Sequence, residues 1–197
     1  ALAFAGAAVA YVVVVRDLLP KADRFNYVKV FDAIKIAGVT AQDIQSKSQI
    51  LKMLEAVGVP ADGFRYDVGL LPEDHQAAQA LLKEFGAAVG DRLVALHPGA
   101  NWRLKRWPAD RFAQLGDGLQ QQYQAKVLLI GGPEDLPLAH RIAQRMKGRP
   151  IVATGKTSFR QLGALLARTR LLISNDSGPL HLGMAVGIPT IGLFGPT

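Results

Sequence analysis

Residues 92–194 predict an α/β fold: a doubly wound parallel sheet with helices on both faces. Three observations carry that expectation. Five short apolar runs alternate with four segments of helical character, giving β-α-β-α-β-α-β-α-β in about a hundred residues. The runs are apolar throughout, as strands buried on both faces must be. Polar and glycine-rich segments follow the strands, whereas the helix-to-strand connections are less distinctive.

The elements follow in order. "RLVALH" (92–97) reads as a buried strand. "ADRFAQLGDGL" (109–119) is helical, with Phe112, Leu115 and Leu119 on one face and Pro108 suited to the first turn. "KVLLIG" (126–131) is a strand and "LPLAHRIAQRM" (136–146) a helix. "IVAT" (151–154) is a strand. In the helix "SFRQLGALLA" (158–167), Ser158 and Gln161 have the spacing of a capping box. "RLLIS" (170–174) is a strand, "PLHLGMAV" (179–186) a helix stopped by Gly187, and "TIGLF" (190–194) the last strand.

The first half is less regular. Residues 26–37 carry a helical apolar stripe and end at Gly38, and Ile50, Leu51, Leu54 and Val57 repeat the pattern before Gly58 and Pro60. Residues 73–88 read as a third helix. Composition and charge change near 86–91, which divides the chain into a unit over 1–88 and another over 89–197. Residues 1–15 are uncharged, but too short for a spanning helix of ~20 residues. They lack the basic start of a signal peptide. A helix end followed by a buried parallel strand fits the β-branched run at 12–15. The chain opens inside apolar structure and stops at "LFGPT", so it reads as a piece of a longer protein.

Bulk properties narrow the partners. The 197 residues contain no cysteine, which excludes disulfides, thiolate metal sites and a cysteine nucleophile. The net charge of +7 is uneven: residues 91–197 hold 14 Lys/Arg and 6 Asp/Glu, against 9 and 10 in residues 1–90. The second half is therefore the part suited to an anionic partner. Its basic residues are scattered, with no Lys/Arg run and no aromatic-basic interleave, which argues against nucleic acid. Phosphorylated small molecules and acidic membranes remain.

In such a sheet ligands bind at the carboxyl ends of the strands. The segments there are "HPGANWRLKRWP", "GGPED", "GKTS", "NDSGPLH" and "GPT", and five such loops at one rim point to a site. "NDSGPLH" enters a helix, so the Ser177 and Gly178 amides are first-turn donors suited to an anion. The competing reading is that Asp176 or Ser177 simply caps that helix. His181, one turn in, is either a phosphate contact or a partly buried structural histidine. His97 is expected to bond loop backbone. Lys105 and Arg106 could neutralise a pyrophosphate, or form a solvated basic loop. Trp107, beside Pro108, is expected in the core, whereas Trp102 is less constrained. Glu134 or Asp135 could accept ribose hydroxyls, or serve only as acids at a helix start.

"ATGKTS" is not a phosphate-binding P-loop, because Pro150 stands where that loop needs glycine. Lys156 and Thr157 are left as candidates to line a base pocket. No G-x-G-x-x-G follows a strand, no D-x-D or G-x-S-x-G occurs, and no two histidines have zinc-ligand spacing.

Taken in order, "HPGANWRLKRWP", "LLIGGPED", "TGKTSFRQLGALL" and "ISNDSGPLHLGMAVGIPTIGLFGPT" resemble the bacterial heptosyltransferase family, the family-9 glycosyltransferases. The resemblance covers residues 92–197 and is loose over 1–88. It implies a GT-B-like architecture of two Rossmann-like domains. Residues 89–197 would be the donor-binding domain, and 1–88 the later part of an acceptor-side α/β domain with its linker. It implies inverting, metal-independent transfer of heptose from ADP-heptose to the lipopolysaccharide inner core. The enzyme would be cytoplasmic and peripheral at the inner membrane, with no metal or other cofactor. Lys105 matches the lysine that contacts the donor phosphates, and Asn101 lies in the loop facing them. Asp176, Ser177, Gly178 and His181 match the motif that cradles diphosphate and sugar. Asp135, with Glu134 second, matches the ribose-binding acid, and Thr157 falls near the adenine. The family's base is an aspartate in a Gly-Asp stretch near the enzyme's start, and no residue of this chain is matched to it. Two other readings stand beside this one: a sugar-nucleotide epimerase of similar fold, for which His181 is the only acid/base candidate in "NDSGPLH", and a non-catalytic nucleotide-binding module.

Overall fold

The computed structural model describes residues 68–194 and the strand backbone at 11–14. The helices expected at 26–37 and 50–57, and the loop 195–197, lie outside the described residues. The elements are β1 (Tyr11–Val14), α1 (Pro72–Glu84), β2 (Leu93–His97), α2 (Ala109–Tyr123), β3 (Lys126–Leu129), α3 (Leu136–Arg145), β4 (Ile151–Val152), α4 (Phe159–Leu166), β5 (Leu171–Asn175), α5 (Gly178–Ala185) and β6 (Thr190–Phe194). Short 3-10 turns at Arg103–Lys105 and Pro133–Asp135 lie in the loops after β2 and β3.

The strands form one sheet in the order β1-β6-β5-β2-β3-β4. The five from β2 to β6 are parallel, as expected. From β2 the chain steps outward through β3 to β4, returns to the other side of β2 with β5, and continues to β6. The direction of winding therefore reverses between β2 and β5, the place in an open α/β sheet where ligands bind at the strand ends.

The strand expected near residues 12–15 forms, but not as a parallel one. Residues 11–14 pair antiparallel with β6, Tyr11 opposite Phe194 and Val14 opposite Ile191. An apolar β-branched run specifies a strand without specifying its direction, and an antiparallel edge strand is common on otherwise parallel sheets.

The pleat sends alternate side chains to opposite faces. Leu96, Val127, Leu129 and Ile173 meet α2 and α3 through Phe112, Leu115, Leu119 and Ile142. Leu93, Ala95, Leu128 and Leu172 meet the other layer through Ala78, Leu82, Leu162, Leu165 and Leu182. That second layer is α1, α4 and α5, and α1 packs along α4 although it precedes residue 88. The capping box of α4 is present: Gln161 N donates to Ser158 Oγ at 3.3 Å, and Ser158 N donates to Gln161 Oε1 at 2.9 Å. Helix α2 runs past the expected end at 119 to Tyr123, and Pro108 sits at its N-cap rather than inside its first turn. Gln124 takes the left-handed turn that closes it, with φ of 52°. A polar "QQQ" with no Gly or Pro gives little sign of where such a helix stops. Among the described residues no helix is long and apolar enough to cross a membrane.

Candidate functional site

The site is built where β2 and β5 end side by side, with His97 opposite Ser174. From His97 the chain runs through buried Pro98, Gly99 and Ala100, then emerges at Asn101 and Trp102. Asn175 ties this loop to β5. Its side chain is buried; Oδ1 accepts the Trp107 N–H at 3.1 Å, and Nδ2 donates to the carbonyls of Pro98 at 2.8 Å and Gly99 at 3.4 Å. Arg106 Nε donates to the Ala100 carbonyl at 2.8 Å, so this arginine braces the loop. Trp107 packs edge-on against Phe112, ring centroids 5.1 Å apart, which places it in the core as expected. The loop thus has a fixed base and an exposed crest, where Trp102 is 65% and Leu104 76% exposed.

Lys105 leaves this crest toward α5. Its Nζ donates to Asp176 Oδ2 at 2.6 Å, with both side chains about a quarter exposed. The ammonium also stands 5.5 Å from the centroid of the Trp102 ring, within cation–π reach. Asp176 is therefore the partner of Lys105, and the residue that organises the turn is Asn175.

The start of α5 is not capped by a side chain. Ser177 occupies the N-cap, but its Oγ turns inward, 2.9 Å from His97 Nδ1 and 3.0 Å from the Asn175 carbonyl. Pro179 has no N–H, and Leu180 N bonds back to the Ser177 carbonyl at 3.1 Å. No acceptor among the described residues takes the Ser177 or Gly178 N–H. Gly178 is exposed, its φ is not positive, and a Cβ there would meet nothing within 4 Å. Two amides that no acceptor among the described residues takes thus stand at the positive end of a helix, next to the Asp176 that holds the Lys105 ammonium, an arrangement that favours an anion.

The turn after β3 forms the next wall. Asp135 is buried, and its Oδ2 accepts from Gly132 N at 3.2 Å and lies 3.5 Å from His97 Nε2. A Cβ at Gly99 or at Gly131 would collide with this carboxylate, which accounts for both glycines. The hydrogen bond from His97 holds the Asp135 carboxyl below the usual carboxylate range, against the burial that raises it. A depressed folded value stabilises the fold above the unfolded value near ~3.9, and that contribution is lost as pH falls through the folded value. Asp135→Asn should therefore cost stability at about pH 6, with the gap to the parent chain narrowing below about pH 3. Calorimetric melts across that range check it, and a gap independent of pH would contradict the assignment.

The remaining candidates lie around the same rim. Glu134 is exposed beside buried Asp135. After β4, buried Thr154 Oγ1 donates to the Leu129 carbonyl at 3.0 Å, and Gly155, at φ of 72°, donates to the Gly131 carbonyl at 2.9 Å. Lys156 beyond it is exposed and Thr157 half-buried. His181 is exposed on the first turn of α5, and Asn101 is exposed on the crest. The structure brings Lys105, Asp176, Ser177 and Gly178 together at the reversal point, with Glu134 and Thr157 on the neighbouring loops. Sequence reasoning missed Asn175 and the side-chain role of His97, which bonds hydroxyls and a carboxylate rather than loop backbone. The available signal was a polar residue at the last position of an otherwise apolar strand.

Residues 21–197 match the family described as glycosyltransferase family 9 (heptosyltransferase). The chain belongs to this family. Among curated relatives, the family-9 chain is 42% identical over 113 residues to lipopolysaccharide heptosyltransferase 3 of Escherichia coli K12, covering 55% of this chain and 32% of that protein. It is 34% identical over 136 residues to lipooligosaccharide heptosyltransferase 2 of Haemophilus influenzae, covering 65% of this chain and 39% of that protein. The match thus spans about a third of the length of these relatives. Among solved structures, a family-9 glycosyl transferase from Veillonella parvula superposes with a TM-score of 0.63 at 30% identity, over 76% of this chain and 46% of that one. The E. coli ADP-heptose heptosyltransferase II superposes with a TM-score of 0.57 at 24% identity, over 62% and 38%, a likeness of fold.

Proposed function

We propose that this chain is the donor-binding part of a heptosyltransferase that moves heptose from ADP-heptose to the lipopolysaccharide inner core, with inversion and without a metal. One observation carries the reading: the Lys105–Asp176 pair stands beside the Ser177 and Gly178 amides, which no acceptor among the described residues takes, at the point where the winding reverses. Transfer breaks the bond between the anomeric carbon and the diphosphate oxygen, and the leaving diphosphate keeps the electron pair. Lys105 and the two amides are fixed where that charge develops, so they need not reorganise. The acceptor hydroxyl forms the new bond from the opposite side of the sugar and gives up its proton to a general base. Holding both reactants in line supplies the rest of the rate.

The nucleoside follows the rim. The exposure of Glu134 supports giving it the ribose hydroxyls, in preference to Asp135, whose carboxylate is engaged with His97 and Gly132. Thr157 is assigned to the adenine side, Asn101 to the phosphates, and His181 to the phosphate or the sugar. The enzyme would work at the cytoplasmic surface of the inner membrane, where a nucleotide sugar and a lipid-borne acceptor can meet.

Calorimetric titration of the 197-residue chain tests this. ADP is expected to bind, equally well with a chelator present, and UDP to bind more weakly. A folded chain that takes up no ADP would sink the donor-site reading, and ADP binding that disappears with the chelator would overturn its metal independence.

A further inference from the structure

A chain of three side chains runs beneath the anion site. It joins the turn after β3 to the end of β2 and to the start of α5. Asp135 Oδ2 lies 3.5 Å from His97 Nε2, and His97 Nδ1 lies 2.9 Å from Ser177 Oγ. Asp135 and His97 are 7% and 3% exposed, so both are closed off from solvent and from any ligand. Only Ser177, half-buried, reaches the open side. An ionised carboxylate can only accept, so Asp135 fixes the imidazole with its Nε2–H toward Oδ2 and leaves Nδ1 to the hydroxyls. Ser177 donates to Nδ1 at 2.9 Å, while Ser174, 3.2 Å away, gives its proton to the Asn175 carbonyl at 2.7 Å. The consequence is visible at Ser177. A serine at an N-cap ordinarily turns its oxygen onto the amide two or three residues further on. Here Pro179 offers no N–H and the Leu180 N–H is taken by the Ser177 carbonyl, so the oxygen turns inward and ties the start of α5 to the end of β2.

We propose that Asp135 and His97 are positioning residues for the diphosphate: by holding the Ser177 hydroxyl inward they fix the start of α5, and with it the Ser177 and Gly178 amides that meet the phosphates. This rests on the donor-site reading above. Neither residue touches the ligand; both act through Ser177. Gly99 and Gly131 belong to the same device, because a side chain at either would displace the Asp135 carboxylate.

The test is a double-substitution cycle on ADP affinity in the 197-residue chain, with folding checked by circular dichroism and melting. His97→Leu is expected to weaken ADP binding about tenfold, the scale on which supporting-shell changes act. His97→Asn, whose amide reaches the place of Nδ1, is expected to retain most of the affinity. In a Ser177→Ala background, His97→Leu should have little further effect, because the group through which it acts is gone. A purely structural histidine would give multiplying losses and no rescue by Asn, and either result overturns the proposal. So does a folded His97→Leu variant that binds ADP as the parent does. Should His97→Leu fail to fold, the cycle of Asp135→Asn with Ser177→Ala asks the same question. Lys105→Ala separates the two readings. If it loses ADP affinity while the His97 cycle is additive, this inference alone falls. If the parent chain binds no ADP, the donor site falls and this inference with it.

Discussion

Lys105→Ala should weaken ADP binding about tenfold to thirtyfold while hardly moving the melting temperature. Lys105 is the cation whose ammonium sits at the mouth of α5, 2.6 Å from Asp176. A hydrogen bond to a charged group is worth about 1.5–3 kcal/mol, and every 1.4 kcal/mol is tenfold in affinity. Lys105 is about a quarter exposed, so solvent screening favours the lower half of that range. Its pair with Asp176 contributes only about 0–1 kcal/mol to folding, as exposed ion pairs do. Lys105→Arg should restore little, because a planar fork on a longer stem does not reproduce a compact ammonium between a carboxylate and a phosphate. Asp176→Asn should weaken binding less than Lys105→Ala, since it loosens the cation without removing it. Titration calorimetry and scanning calorimetry measure the two effects. An unchanged Kd in the folded Lys105→Ala chain would remove Lys105 from the site.

Much of this site follows from alternation alone. Once strands and helices alternate, the polar loops after the strands must share one rim, and Lys105, Asp176, Ser177 and Gly178 fall together without any knowledge of contacts. Direction and partnership are what alternation leaves open. The run at 11–14 is a strand by composition, yet nothing in four apolar residues chooses antiparallel pairing with β6. Asp176 and Asn175 are adjacent and both can accept hydrogen bonds. A strand turns consecutive side chains to opposite sides, so one reaches Lys105 and the other the buried carbonyls of Pro98 and Gly99. Adjacent Glu134 and Asp135 also divide, here on a 3-10 turn, one exposed and one buried against His97. In both pairs the residue types carry the chemistry, and local geometry decides which member faces the ligand.

Asn175→Asp should destabilise the chain by about 3–5 kcal/mol at neutral pH, the scale of an uncompensated buried charge. The substitution keeps shape and volume, and one oxygen still accepts the Trp107 N–H. The other faces the carbonyls of Pro98 and Gly99, where Nδ2 now donates, and the site excludes water. A carboxylate oxygen there meets two carbonyl acceptors, and burial raises its folded pKa above the unfolded value of ~3.9. The sign follows from linkage. Below the unfolded value the acid is protonated in both states, can donate to Pro98, and the cost is small. As pH rises the unfolded chain ionises first, and the cost grows until the folded pKa is passed. Asn175→Ala serves as the comparison: it leaves the Trp107 N–H and two carbonyls unmet, a loss of about 2–3 kcal/mol without that pH dependence. Melting each variant beside the parent chain from about pH 4 to about pH 8 should give a gap that widens for Asn175→Asp and stays level for Asn175→Ala. Because the same bonds hold the base of the loop carrying Lys105, ADP affinity should fall with the Asn175→Asp gap. A variant that melts with the parent at neutral pH would mean that Asn175 does not tie the loop after β2 to the end of β5.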